Sequence, residues 1–174
     1  RDAIKLDGYT YCGRAVALAE QGEFRQSIRA ASKALHLGNA ANNDDLKAVA
    51  QRDLSIAYSY AGLLDEAERF AGAALALPVN DPKQVYAPAH KIIGDVWARR
   101  GQFATAEAAY QRSLELASER FRPLVRMSLA NLYTAAGRAA EGLVQLDGLA
   151  PEQATRLGPY FKRSRANALL GIGE

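Results

Sequence analysis

His90-Lys-Ile-Ile-Gly94-Asp-Val-Trp97, then Ala-Arg-Arg-Gly101-Gln-Phe103, then Ala-Thr-Ala106-Glu-Ala-Ala-Tyr110 is the stretch from which the fold of this chain can be read. Apolar and small residues recur at the three-to-four spacing of an amphipathic helix on both sides of Gly101. Glycine carries no Cβ penalty in the left-handed conformation that ends a helix, so Gly101 is expected to stop the first helix just before the second begins. Ala106 then sits where the two helices must touch, and Trp97 and Tyr110 fill the space beside that crossing. The stretch reads as one helical hairpin, extending over about 87–120.

The same punctuation recurs along the chain. Gly22, Gly62, Gly101, Gly137 and Gly171 are separated by 40, 39, 36 and 34 residues. One turn before the first four stand Leu18, Tyr58, Trp97 and Tyr133, and five residues after them Ser27, Ala67, Ala106 and Gly142. That last set is uniformly small, as close approach of two helix backbones requires. All five glycines are therefore expected to take the left-handed conformation, and the chain is expected to be a run of similar hairpins.

The spacing predicts helices over about 7–21 and 23–37, 44–61 and 64–77, then two in 87–120, then 122–136 and 139–147, with a last one from Gly158-Pro159 to Gly171. Gly38-Asn-Ala-Ala-Asn-Asn43 reads as a polar loop leading into Asp44-Asp45, whose acids suit a helix N-terminus. Pro78-Val-Asn-Asp-Pro82 reads as a connector in which Asp81 caps a helix and Pro82 occupies its first turn. Pro88 predicts a kink or a late start of the next helix. His36 is placed at the end of an outer helix, where a cation would offset the dipole.

Composition limits the function classes. The 174 residues are 49% hydrophobic and 24% charged, the balance of a folded soluble protein, with alanine and leucine favouring an all-α fold. No apolar run approaches the roughly 20 residues that span a bilayer, so no membrane insertion is expected, and the chain starts at Arg1 as a trimmed or mature form would. Cytoplasm and periplasm both stay open. The single cysteine, Cys12, rules out an internal disulfide framework and a cysteine-based zinc site. His36 and His90, the only histidines, have no metal-ligand partner at i+4, and no phosphate-cradling glycine loop is present, so neither catalysis, metal nor cofactor is expected. Residues 1–120 carry 15 basic and 15 acidic side chains and residues 121–174 carry 7 and 4, which concentrates the net charge of +3 near Arg156, Lys162, Arg163 and Arg165. That cluster reads first as a solvated helix face and second as a patch for an acidic partner or nucleic acid.

These features resemble the tetratricopeptide repeat, whose signature is Trp-x2-Leu-Gly-x2-Tyr, then Ala-x3-Phe, then a late proline. His90-x2-Ile93-Gly94-x2-Trp97 with Ala106-x3-Tyr110 is the best match, followed by Leu54-Ser55-x2-Tyr58 with Ala67-x3-Ala71 and Pro78, and by Leu129-Ala130-x2-Tyr133 with Gly142 and Leu146. Arg14-Ala15-x2-Leu18 with Ser27-x3-Ala31 is the most degenerate. The resemblance implies an all-α, right-handed α-solenoid forming a single array, with repeats near 8–41, 48–81, 87–120 and 123–156 and a capping helix near 157–174. Spacings longer than the common repeat are similar to those of some bacterial members.

What the resemblance implies for function is a scaffold that binds a protein or peptide in a concave groove lined by the first helix of each hairpin. Carried onto this chain, the groove positions are Tyr9, Arg52, Asp53, Ile56, Tyr60, Lys91, Asp95, Arg99 and Asn131, flanked by Cys12, Val16, Glu20, Met127, Ser128 and Thr134. The two-carboxylate clamp that some members use on chaperone C-termini is not reproduced: Asp95 stands where it needs asparagine beside Lys91, Ile56 follows Arg52, and Cys12 and Val16 replace its first pair. An alternative is a ligand-sensing or regulatory domain of a larger signalling protein or enzyme. Nucleic acid is not an expected partner, because the hairpins lack a matched pair of polar base-reading positions.

Overall fold

The computed structural model describes residues 2–173. These residues form ten helices: α1 Asp2–Glu20, α2 Phe24–Ala41, α3 Asp44–Tyr60, α4 Leu64–Leu75, α5 Pro82–Arg99, α6 Phe103–Leu116, α7 Arg122–Ala135, α8 Ala139–Asp147, α9 Pro151–Leu157 and α10 Pro159–Gly171. They pair as the antiparallel hairpins α1/α2, α3/α4, α5/α6 and α7/α8, each stacked on the next, and α10 packs on α8 and α7 at the C-terminal end. No strand is present among the described residues, and the architecture is an α-solenoid.

The hairpin turns have a common chemistry. Gly22, Gly62, Gly101 and Gly137 have φ of +81°, +80°, +74° and +76°. Each glycine N–H donates to the carbonyl three residues back, and the following N–H donates to the carbonyl of Leu18, Tyr58, Trp97 or Tyr133 at 2.7–3.0 Å. That pair of bonds satisfies the last carbonyls of the first helix and reverses the chain. The fifth glycine behaves differently. Gly171 lies in the last turn of α10, positive φ falls at Gly173 instead, and a Cβ on Gly171 would stand 2.7 Å from Ala139 Cβ. Its small size is needed for packing on α8.

The small residues after each turn are buried at the crossings: Ser27, Ala67, Ala106 and Gly142 are all nearly or wholly inaccessible. Ser27 Oγ donates to Ala15 O at 2.7 Å, so its hydroxyl is satisfied at the crossing. At Gly142 a Cβ would meet the backbone oxygen of Ala130 at 2.8 Å. Ala106→Leu is expected to overpack the third hairpin and destabilise the chain by about 1–3 kcal/mol, read as a lowered denaturant midpoint; an unchanged midpoint would mean that the crossing is slack.

Three local expectations are corrected. Gly38 to Ala41 is helix rather than loop, because Gly38 lets α2 continue against the start of α3, where a Cβ would lie 3.1 Å from Lys47 N. The reversal is delayed to Asn42, in left-handed geometry at φ 49°, while Asn43 caps α3 by accepting from Leu46 N. His36 consequently lies well inside α2 rather than at its end. Between Pro151 and Gly158 the structure adds a two-turn helix, α9, whose Ala150 N–H donates to Gln153 Oε1 at 3.1 Å.

Asp81 and Pro82 begin α5 as expected, with the Asp81 carboxylate accepting from Lys83 N and Gln84 N. Pro88 lies inside α5, so it marks no late start. Its ring nitrogen cannot donate to Gln84 O, and Arg52 Nη1 of α3 supplies that bond at 2.9 Å.

The junction between the second and third hairpins is fastened along the whole of α3. Asn80 N donates to Asp45 Oδ1 at 2.7 Å, Arg52 reaches Gln84 O, Arg99 Nη1 donates to Ser59 O at 2.8 Å, and Arg100 pairs with Asp65 and with Glu68, the latter at 2.6 Å. Between the third and fourth hairpins, Arg138 and Tyr133 both donate to Glu107, at 2.8 and 2.7 Å. The first and second meet through apolar packing, with Gly8 against Leu46 and Phe24 against Tyr60 at 6.1 Å between ring centroids.

Candidate functional site

Stacking first helices side by side leaves their inner faces around a common hollow. A cavity of about 590 Å³ opens there, lined by Ala19, Glu20, Gly22 and Phe24 of the first hairpin, Ile56 and Tyr60 of α3, Pro88, Lys91 and Ile92 of α5, Phe121 beside α7, Leu124, Met127 and Ser128 of α7, and Tyr160 of α10. The lining is mostly apolar, with the Tyr60 and Tyr160 side chains 56% and 64% exposed. Large amphipathic side chains held open in this way are the typical anchors of protein recognition. A second hollow of about 320 Å³ lies farther along, bounded by Asp95, Arg99, Tyr110, Ser128 and Asn131 among others.

The structure divides the expected groove residues among different environments. Ile56, Tyr60 and Lys91 line the large cavity together with Glu20, Met127 and Ser128. Asp95, Arg99 and Asn131 line the second hollow. Tyr9 and Val16 stand exposed on α1 outside both, Cys12 is buried, and Thr134 Oγ1 is turned back to Ala130 O at 2.9 Å. Ala19, Gly22, Phe24, Pro88, Ile92, Phe121, Leu124 and Tyr160 are the lining residues that sequence reasoning missed. Phe121 and Tyr160 follow loops, and nothing in a hairpin period marks such positions.

Several polar groove residues are already partnered within the chain. Lys91 Nζ donates to Asp95 Oδ2 at 2.8 Å, and Tyr110 OH donates to Asp95 Oδ1 at 2.7 Å. Burial and the Asp95 carboxylate push the Tyr110 hydroxyl well above its usual range. Arg52 Nε and Nη2 donate to Asp53 Oδ1 at 2.9 and 2.6 Å, with side chains 12% and 1% exposed. Burial pushes the Asp53 carboxyl upward against the pull of Arg52, and it raises the neighbouring Cys12 thiol to about 12, which keeps that thiol protonated. Asp53 Oδ2 is buried without a hydrogen-bond partner. Asp53 thus orients Arg52 within α3, and Arg52 links the second hairpin to the third through Gln84 O. His90 is half-buried, its imidazole pushed down by burial and then by Arg112, which favours the neutral ring. No cluster of His, Cys, Asp or Glu among the described residues could hold a metal ion, and no helix among them is long and apolar enough to cross a membrane.

Residues 5–134 match the family described as tetratricopeptide repeat-like domain. The chain belongs to that family. Among solved structures, this tetratricopeptide repeat domain resembles the nearly identical TPR-like repeats of a candidate kinesin light chain from Podosopora anserina, with TM-score 0.67 and 13% identity over 95% of this chain and 86% of the other. It resembles a thermophilic TPR protein of Thermus thermophilus, with TM-score 0.58 and 24% identity over 94% and 99% of the two chains. It also resembles YrrB, a TPR protein with an unusual peptide-binding site, with TM-score 0.55 and 21% identity over 95% and 83%. No curated protein matches the sequence. Tetratricopeptide repeat-like domains are in general non-catalytic modules of protein–protein interaction, and these likenesses establish the fold.

Proposed function

We propose that this chain is an interaction scaffold that docks a peptide or helix of a partner protein in its concave groove, within a single array of four repeats and a cap. The observation that carries the reading is the cavity of about 590 Å³ to which all four hairpins and α10 contribute. A hollow of that size holds several side chains, and its apolar floor supplies binding energy through burial. Tyr60 and Tyr160 line it as exposed anchors, each with a hydroxyl for orientation. The peptide-binding site named for YrrB supports the same use of a related fold.

Replacing Arg52 would be a poor test of docking, because it would strand the Asp53 carboxylate and break the link to Gln84 O. Tyr60 and Tyr160 are the better targets, since both are exposed and neither belongs to the buried core, although Tyr60 also packs on Phe24. The Tyr60→Ala, Tyr160→Ala double variant is expected to fold with a modestly lowered melting temperature, because Tyr60 packs on Phe24, and to retain a partner captured by the wild type from source-cell lysate about tenfold less, by quantitative mass spectrometry. Equal retention by both proteins would place recognition outside the groove.

A further inference from the structure

Pro88, Phe121 and Leu124 also line a third hollow, of about 410 Å³, so the apolar cavity continues into it. Its charged lining consists of Lys83 at the start of α5, Arg120 in the α6–α7 connection and Arg156 on α9. All three are exposed, and none of them forms an ion pair among the described residues. Arg156 is held in place by donating from Nη2 to Arg120 O at 3.0 Å. No carboxylate lines this hollow, whereas Lys91 in the neighbouring cavity is already neutralised by Asp95 and the other charged residue there is Glu20. The groove is therefore polarised: an apolar compartment carrying a lone carboxylate runs into a compartment that carries three unneutralised cations.

We infer that the groove takes a peptide segment in which apolar side chains are followed directly by a cluster of carboxylates, the apolar part in the larger cavity and the acidic part between Lys83, Arg120 and Arg156. This rests on the groove-docking reading above and specifies its ligand. Charge complementarity sets the register of the segment, because reversing it would bring its carboxylates to Glu20 and its apolar residues among the cations. The continuous apolar floor of Pro88, Phe121, Leu124 and Leu157 favours a peptide over a nucleic acid, whose phosphates would use the cations and leave the cavity unfilled. Of the C-terminal cluster Arg156, Lys162, Arg163 and Arg165, it is Arg156 that lines this hollow, while Arg165 pairs with Asp147 at 3.4 Å and Arg163 lies over the Tyr160 ring.

The test is selection of a phage-displayed random 12-residue peptide library on the whole chain, followed by fluorescence polarisation of the selected peptides. The proteins compared are the wild type, the Lys83→Ala, Arg120→Ala, Arg156→Ala triple variant and the Tyr60→Ala, Tyr160→Ala double variant, each first shown by circular dichroism to fold. The expected result is a consensus of adjacent apolar and acidic residues, affinity falling at least about tenfold in the triple variant, and weakening with added salt. Peptides that depend on Tyr60 and Tyr160, carry no acidic enrichment and bind the triple variant as well as the wild type would overturn this inference and leave groove docking intact. A twelve-residue oligouridylate that binds as tightly as the peptides, with the same dependence on the three cations, would overturn it in favour of phosphate recognition. Failure to select any peptide would remove both readings.

Discussion

Arg52→Ala is expected to destabilise the chain by about 3–5 kcal/mol, the cost of breaking a buried ion pair on one side only. The variant leaves the Asp53 carboxylate 1% exposed with no counterion, and it also takes the donor away from Gln84 O. The first loss acts beside Cys12 of α1 and the second where α3 meets α5. Two further variants separate them. Pro88→Ala, added to Arg52→Ala, gives α5 back an N–H that can reach Gln84 O and should recover roughly 1 kcal/mol. Asp53→Leu, added instead, removes the stranded charge and should recover more.

The pH dependence of Arg52→Ala follows from proton linkage. Burial already pushes Asp53 upward in the wild type, and losing Arg52 removes the influence that opposes it. The folded-state pKa then lies further above the unfolded value of about 3.9, so the folded state binds more protons than the unfolded one between the two. Stability from this group is fully present below about pH 4 and is lost as pH rises through the raised folded pKa. Urea unfolding should therefore show the gap between variant and wild type narrowing as pH is lowered from neutrality towards about 4. A gap that stays constant would mean that Asp53 is not the group left stranded.

Tyr110→Ala is expected to cost about 3–5 kcal/mol, the range for removing a large aromatic from a core. Tyr110 is 3% exposed, and its ring fills the space left by Gly94, where a Cβ would lie 2.5 Å from Tyr110 Cε1. Tyr110→Phe keeps the ring and removes only the hydroxyl that donates to Asp95, so it should cost about 1 kcal/mol. Gly94→Ala alone should overpack the site, whereas Gly94→Ala placed in the Tyr110→Ala background puts a methyl group into the vacated space. The double variant is consequently expected to be more stable than the sum of the single effects, read from denaturant midpoints. Strict additivity would show that the two residues do not share the space.

The hairpin turns are legible in the sequence because their rule is local. Gly22, Gly62, Gly101 and Gly137 must have positive φ, and each fixes within five residues the small side chain that allows the next crossing. Gly171 breaks the pattern because glycine serves close packing as readily as it serves a turn, and only the position of Ala139 distinguishes the two. Gly38 to Ala41 misleads for a related reason: polar, glycine-containing sequence favours a loop until a neighbouring helix needs a contact free of Cβ. The floor of the groove is half legible. Ile56, Tyr60 and Lys91 follow from position within a hairpin, but Phe121 and Tyr160 come from connections and the cap, where nothing repeats. Lys83, Arg120 and Arg156 lie in three separate parts of the chain, and only the fold brings them to one hollow.

The fastening of α3 to its neighbours along its length, from Asp45 through Arg52 and Ser59, has a mechanical corollary. A solenoid bends by small rotations at its junctions, and a junction tied at several well-separated points resists both twist and splay. The central junction of this array is tied in that way. The second and third hairpins are accordingly held at a fixed mutual angle by bonds spread over the length of α3. A segment docked as proposed would meet a centre whose curvature is already set before it arrives.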